Sequence, residues 1–135
     1  MNLLLDTNVV LDVLLNRSPW AADARQLFAE IERGRASGYL AGHTITTVHY
    51  VAEKAIGRAA AMVAIGDLLR LFEVVPVEKV DFYQATALAL RDFEDAVQVV
   101  CALKVGADYR VTRDQRDFAA APIDVRMPGD ILALL

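Results

Sequence analysis

Short apolar runs alternate with amphipathic stretches along the whole chain. Asn2–Leu5 is an apolar run that ends at Asp6 and reads as a buried strand. From Thr7 to Asn16 the period changes, and Val9, Val10, Val13 and Leu14 recur at helical spacing. Ser18-Pro19 opens a second helix with proline in its first turn. That helix carries Ala24, Leu27, Phe28 and Ile31 on one face and runs to about Arg35, where Gly34 and Gly38 end it. Gly38–Gly42 reads as a second strand, and Thr44–Ile56 and Arg58–Phe72 as two helices parted at Gly57. Glu73–Val77 is a third strand, Glu78–Leu90 a helix, and a further helix begins at Asp92 and ends near Gly106. Asp108–Thr112 and Ile123–Arg126 complete the strands, and Pro128–Leu135 is a closing helix. The alternation predicts a three-layer α/β/α fold around a central, mostly parallel sheet of about five strands.

Length and composition narrow this picture. A chain of 135 residues with no repeat or dividing linker reads as a single domain, 1–135. With 56% hydrophobic and 24% charged residues it has a globular composition, not a disordered one. The net charge of −4 excludes nucleic-acid binding by bulk charge, so any polyanion contact must be local. The same balance suits a site that gathers cations. The lone Cys101 sits in an apolar stretch, cannot form an internal disulfide and reads as a core residue in a reducing compartment. The N-terminal stretch is apolar but has no basic region ahead of it and carries Asp6 and Asp12. It reads as neither a signal peptide nor a membrane span, so a cytoplasmic protein with no membrane partner is expected.

The candidate chemistry lies at the carboxyl ends of the predicted strands, where open α/β sheets bind ligands. Asp6 follows the first strand, and can either project into the crevice or cap the next helix. Asp92, Glu94 and Asp95 crowd the start of a later helix. Asp92 suits a capping role, but three acids in four residues repel one another more than capping requires. Asp114 and Asp117 follow the fourth strand, beside the dense basic cluster of Arg110, Arg113 and Arg116. Carboxylates for a metal beside cations for phosphate are what phosphodiester hydrolysis requires. A hard, oxygen-lined site suits Mg²⁺ or Mn²⁺ better than zinc. His49, alone on a helix, reads as structural. No phosphate-binding glycine loop, zinc spacing or serine nucleophile elbow is present.

The opening LLLDTNVVLDVLL and the later RDFEDAVQVVCALKVGADYRVTRDQRDF together resemble the PIN-domain family, in its VapC-like toxin ribonuclease branch. The order and intervals of these blocks match over nearly the whole chain. The resemblance implies a Mg²⁺- or Mn²⁺-dependent endoribonuclease for single-stranded RNA, usually dimeric and paired with an antitoxin protein. Carried over by position, Asp6, Asp95 and Asp114 are the catalytic and metal-binding acids, with Asp117 a further metal candidate. Thr7, Asn8 and Thr112 match the family's supporting polar residues, Asp92 and Thr47 are further supporting candidates, and Arg110, Arg113 and Arg116 would hold RNA phosphates. The family usually has a glutamate early in the helix after the second strand, and Thr47 stands there. Glu53 lies six residues further on and points elsewhere. Thr47 therefore leaves open a non-catalytic PIN-like module that binds RNA or protein. A haloacid-dehalogenase-type phosphatase would need a second aspartate where Asn8 stands.

Overall fold

The computed structural model describes residues 1–115 and 122–135. Among these residues the elements are β1 (Asn2–Leu5), α1 (Thr7–Leu14), α2 (Ala21–Glu32), β2 (Ser37–Ala41), α3 (Gly42–Ile56), α4 (Arg58–Leu71), β3 (Glu73–Val75), α5 (Lys79–Thr86), α6 (Phe93–Lys104), β4 (Tyr109–Val111), β5 (Val125–Arg126) and α7 (Pro128–Leu132). The strands form one parallel sheet of five, in the order β3-β2-β1-β4-β5.

The pleat of β1 divides the core. Leu3 and Leu5 face one side, where they pack with Val9 and Val10 of α1, Leu27 of α2, Val48 of α3, Leu68 of α4 and Ile131 of α7. Leu4 faces the other side, with Ala85 of α5 and Val97, Val100 and Cys101 of α6. Each face of the sheet is thus covered by helices, as a buried parallel sheet demands. Cys101 is wholly buried and burial pushes its thiol up to about 11, as expected of a core residue. No helix among the described residues is long and apolar enough to cross a membrane.

Several boundaries differ from the predicted ones. α2 begins at Ala21, beyond Pro19. α3 begins at Gly42, directly from the extended Ala41, and not at Thr44. α5 stops at Thr86, and Leu88 and Leu90 reach the core from the irregular segment that follows. That segment delivers Asp92 to the start of α6.

Asp81 ties α5 to α6. Its carboxylate accepts the Glu78 amide at 2.8 Å and the Lys104 ammonium at 2.8 Å. The amide first, and Lys104 second, hold the carboxyl below its ordinary value. A depressed folded value stabilises the fold above the unfolded carboxylate pKa, and that stability disappears as pH falls through the folded value. Asp81→Asn is therefore expected to be less stable than wild type at pH 7, with the deficit closing in strong acid. Urea unfolding at neutral and acid pH measures this, and a pH-independent deficit would contradict it.

Candidate active site

The chain leaves β1 for β2 and β3 on one side of the sheet and returns to β4 and β5 on the other. The carboxyl ends of β1 and β4 therefore flank a topological switch point, the place where open α/β sheets bind ligands. Asp6 stands at that point, its amide donating to the Val111 carbonyl at 2.8 Å. It precedes α1 in extended conformation but makes no side-chain cap bond, so the capping alternative is set aside. Its carboxylate is buried and held on both oxygens. Oδ1 accepts Gln98 Nε2 at 3.0 Å, and Oδ2 accepts Thr112 Oγ1 at 3.0 Å. Thr112 Oγ1 also accepts the Asp114 amide at 3.1 Å, so one hydroxyl links the first acid to the backbone of another.

α6 brings the second acid. Asp92 is its N-cap and accepts the Asp95 amide at 3.1 Å, which fixes the first turn. Asp95 accepts Arg110 Nη2 at 2.7 Å. Burial pushes the Asp95 carboxyl above its ordinary value, and Asp6 and Asp92 act in the same direction, while Arg110 opposes them.

Three further residues at the site, Thr44, His43 and Gln98, were not singled out from the sequence, and Glu94 was read only as one of the crowded acids. Thr7 Oγ1 lies 3.0 Å from Thr44 Oγ1 and donates to Glu94 Oε1 at 3.2 Å, so Thr44 is the donor to Thr7. Glu94 Oε1 also lies 3.7 Å from His43 Nε2. Burial lowers the His43 pKa, against the pull of Glu94 and Asp6. Gln98 is wholly buried and bonds Asp6, Thr7 and Arg110. A glutamine inside the apolar run AVQVVCA was the available signal for it. The pairing of His43 with Glu94 joins distant parts of the chain and left no local signal.

The structure distributes the remaining candidates unevenly. Thr7 and Thr112 are buried at the centre, whereas Asn8 is exposed on the first turn of α1. Asp114 lies just beyond β4 and is exposed. Thr47 donates its hydroxyl to the His43 carbonyl of its own helix, and Thr44 makes the contact across to α1. Arg116 and Asp117 lie outside the described residues. Arg110, grouped by sequence with Arg113 and Arg116 as a phosphate-holding cation, is instead buried. As the register partner of Leu4 it faces α6, and the strand buries it beneath Asp95. Arg113 is half-buried, its guanidinium 3.8 Å over the Trp20 ring and its Nε 3.4 Å from Asp12 Oδ2. Asp12 is itself buried, and burial raises its carboxyl pKa against Arg113 and Arg17.

Asp6, Asp95 and Asp114 carry oxygen donors of the kind a hard divalent cation takes. Among the described residues no three acidic, histidine or cysteine side chains stand as a ready-made group around one ion. Arg110 supplies the positive charge between Asp6 and Asp95, with Nη2 3.8 Å from Asp6 Oδ1.

The fold is shared with solved toxin–antitoxin proteins. VapBC2 of Rickettsia felis, solved bound to a DNA fragment from their promoter, superposes with a TM-score of 0.71 at 13% identity, over 94% of this chain and 98% of that chain. VapC20 of Mycobacterium tuberculosis, a toxin that cleaves the sarcin-ricin loop, gives 0.71 at 18% identity, over 90% of this chain and 95% of that one. A toxin-antitoxin complex from Klebsiella pneumoniae gives 0.69 at 22% identity, over 93% and 96%. No curated protein matches by sequence. The family model of the PIN domain matches residues 2–116, and the chain belongs to the PIN-domain family.

Proposed function

We propose that this protein is a metal-dependent endoribonuclease that cuts single-stranded RNA, acting as the toxin of a toxin–antitoxin pair. The observation that carries this reading is the meeting of Asp6 and Asp95 at the switch point, with Thr112 joining Asp6 to the backbone of Asp114. Mg²⁺ or Mn²⁺, when bound, would supply an activated water and offset the charge that develops on the phosphate. The chain's own residues position the acids. Gln98 and Thr112 fix the rotamer of Asp6, Asp92 sets the first turn carrying Asp95, and Arg113, stacked on Trp20, is the candidate to hold a flanking phosphate. The solved VapBC and FitAB complexes support an antitoxin partner, and a homodimer is proposed with it.

Cleavage of a labelled single-stranded RNA pool, with Mn²⁺ or with EDTA, tests the reading. Cleavage is expected with Mn²⁺ alone, together with a higher melting temperature that Asp95→Asn removes. A melting curve indifferent to millimolar Mn²⁺ and a cleavage rate unchanged by EDTA would reject it. Thr47 and the charge of Arg110 favour one competing reading, a PIN-fold module that binds RNA without cutting it. That reading predicts RNA retention with no product under any metal.

A further inference from the structure

Arg110 occupies a position that a parallel strand ordinarily gives to an apolar residue. It pairs in register with Leu4, lies between the sheet and α6, and is 6% exposed. A guanidinium in such a place is costly unless its donors are met and its charge is balanced. Two of its three nitrogens have acceptors, and its charge faces two carboxylates. Nε donates to Gln98 Oε1 at 3.2 Å, and Nη2 donates to Asp95 Oδ1 at 2.7 Å and lies 3.8 Å from Asp6 Oδ1. Gln98 closes the circuit, since its amide accepts from Arg110 and donates to Asp6 at 3.0 Å. Asp6, Gln98, Arg110 and Asp95 thus form one buried network, in which a single protein cation serves two carboxylates that would otherwise repel.

We propose that Arg110 is a resident cation of this site: it holds Asp6 and Asp95 in place without metal, competes with a divalent ion for both, and limits the site to one such ion. The competition rests on the metal-dependent reading given above; the counter-ion role does not. A metal ion that bridged Asp6 and Asp95 directly would have to displace the guanidinium or sit against it. Arg110 is a positioning residue on this account, since its burial keeps it from substrate.

Two measurements test the proposal. The first is made in EDTA, by urea unfolding of wild type, Arg110→Met, Asp95→Asn and the double variant. If Arg110 balances Asp95, the double variant loses less stability than the sum of the two single losses. Additive losses overturn the counter-ion role. The second is calorimetric titration with Mn²⁺. Wild type is expected to bind one ion, and Arg110→Met to bind Mn²⁺ about 10-fold more tightly. Arg110→Gln is made alongside, because it removes the charge while keeping donors for Asp95 and Gln98 should methionine pack poorly. Two ions bound by wild type, or equal affinity in wild type and the neutral variants, overturn the competition alone. Coupling in EDTA with no Mn²⁺ bound by any of these proteins overturns both the competition and the metal-dependent reading.

Discussion

Asp6→Asn is expected to reduce RNA cleavage by about 10²-fold or more while the protein stays folded. The size of the effect follows from what the substitution removes. Asp6 stands at the switch point with both carboxylate oxygens held, one by Gln98 and one by Thr112. The amide keeps the shape, and one of its two positions still accepts a hydrogen bond. Its NH₂ group can donate to the Thr112 hydroxyl, so the cost to the fold is about 1–2 kcal/mol. The negative charge is lost entirely. Initial rates on a labelled single-stranded RNA, with circular dichroism and a melting curve beside them, separate the two effects. A folded variant that cuts within a few-fold of wild type would remove Asp6 from the catalytic set.

The largest effect on stability is expected from Leu4→Ala, about 2–5 kcal/mol. Leu4 is wholly buried on the central strand and packs against Val97, Val100 and Cys101 of α6. Removing its side chain leaves a cavity between the sheet and the helix that carries Asp95 and Gln98. Neighbouring strands and helix cannot collapse into that space without breaking the parallel ladder on either side of β1. Leu103→Ala on the same helix is the control, because Leu103 is 50% exposed and should cost less than about 0.5 kcal/mol. Urea unfolding of the two variants decides. A Leu4→Ala loss below about 1 kcal/mol would mean that the α6 face repacks freely.

The parallel sheet was legible because its strands are short apolar runs set between helical stretches, and a strand buried on both faces has no other pattern to show. Asp6 and Asp95 were legible because each stands where an element ends or begins. Arg110 was misread because it was grouped with Arg113 and Arg116 by closeness in sequence. Period two along Tyr109-Arg110-Val111 puts Arg110 on the face opposite its neighbours, and Leu4 then becomes its register partner. Placing the start of α3 at Thr44 put Thr47 in the first turn. The observed start at Gly42 puts Thr44 there, and Thr44 is the residue that reaches Thr7. The His43–Glu94 pair was beyond reach, since it depends on α3 and α6 meeting at one edge of the sheet.

The stacking of Arg113 on Trp20 has an optical consequence. Trp20 is the sole tryptophan of the chain, and its indole carries a guanidinium 3.8 Å over its face. A cation on an indole ring perturbs the excited state, so the emission of this protein depends on where Arg113 sits. Arg113 comes from the segment after β4 that also bears Asp114, and Asp12 anchors it at 3.4 Å. Displacement of Arg113 would uncover the ring. The protein therefore carries a native fluorophore whose emission reports the position of Arg113, and any ligand that moves Arg113 can be followed in real time without a label.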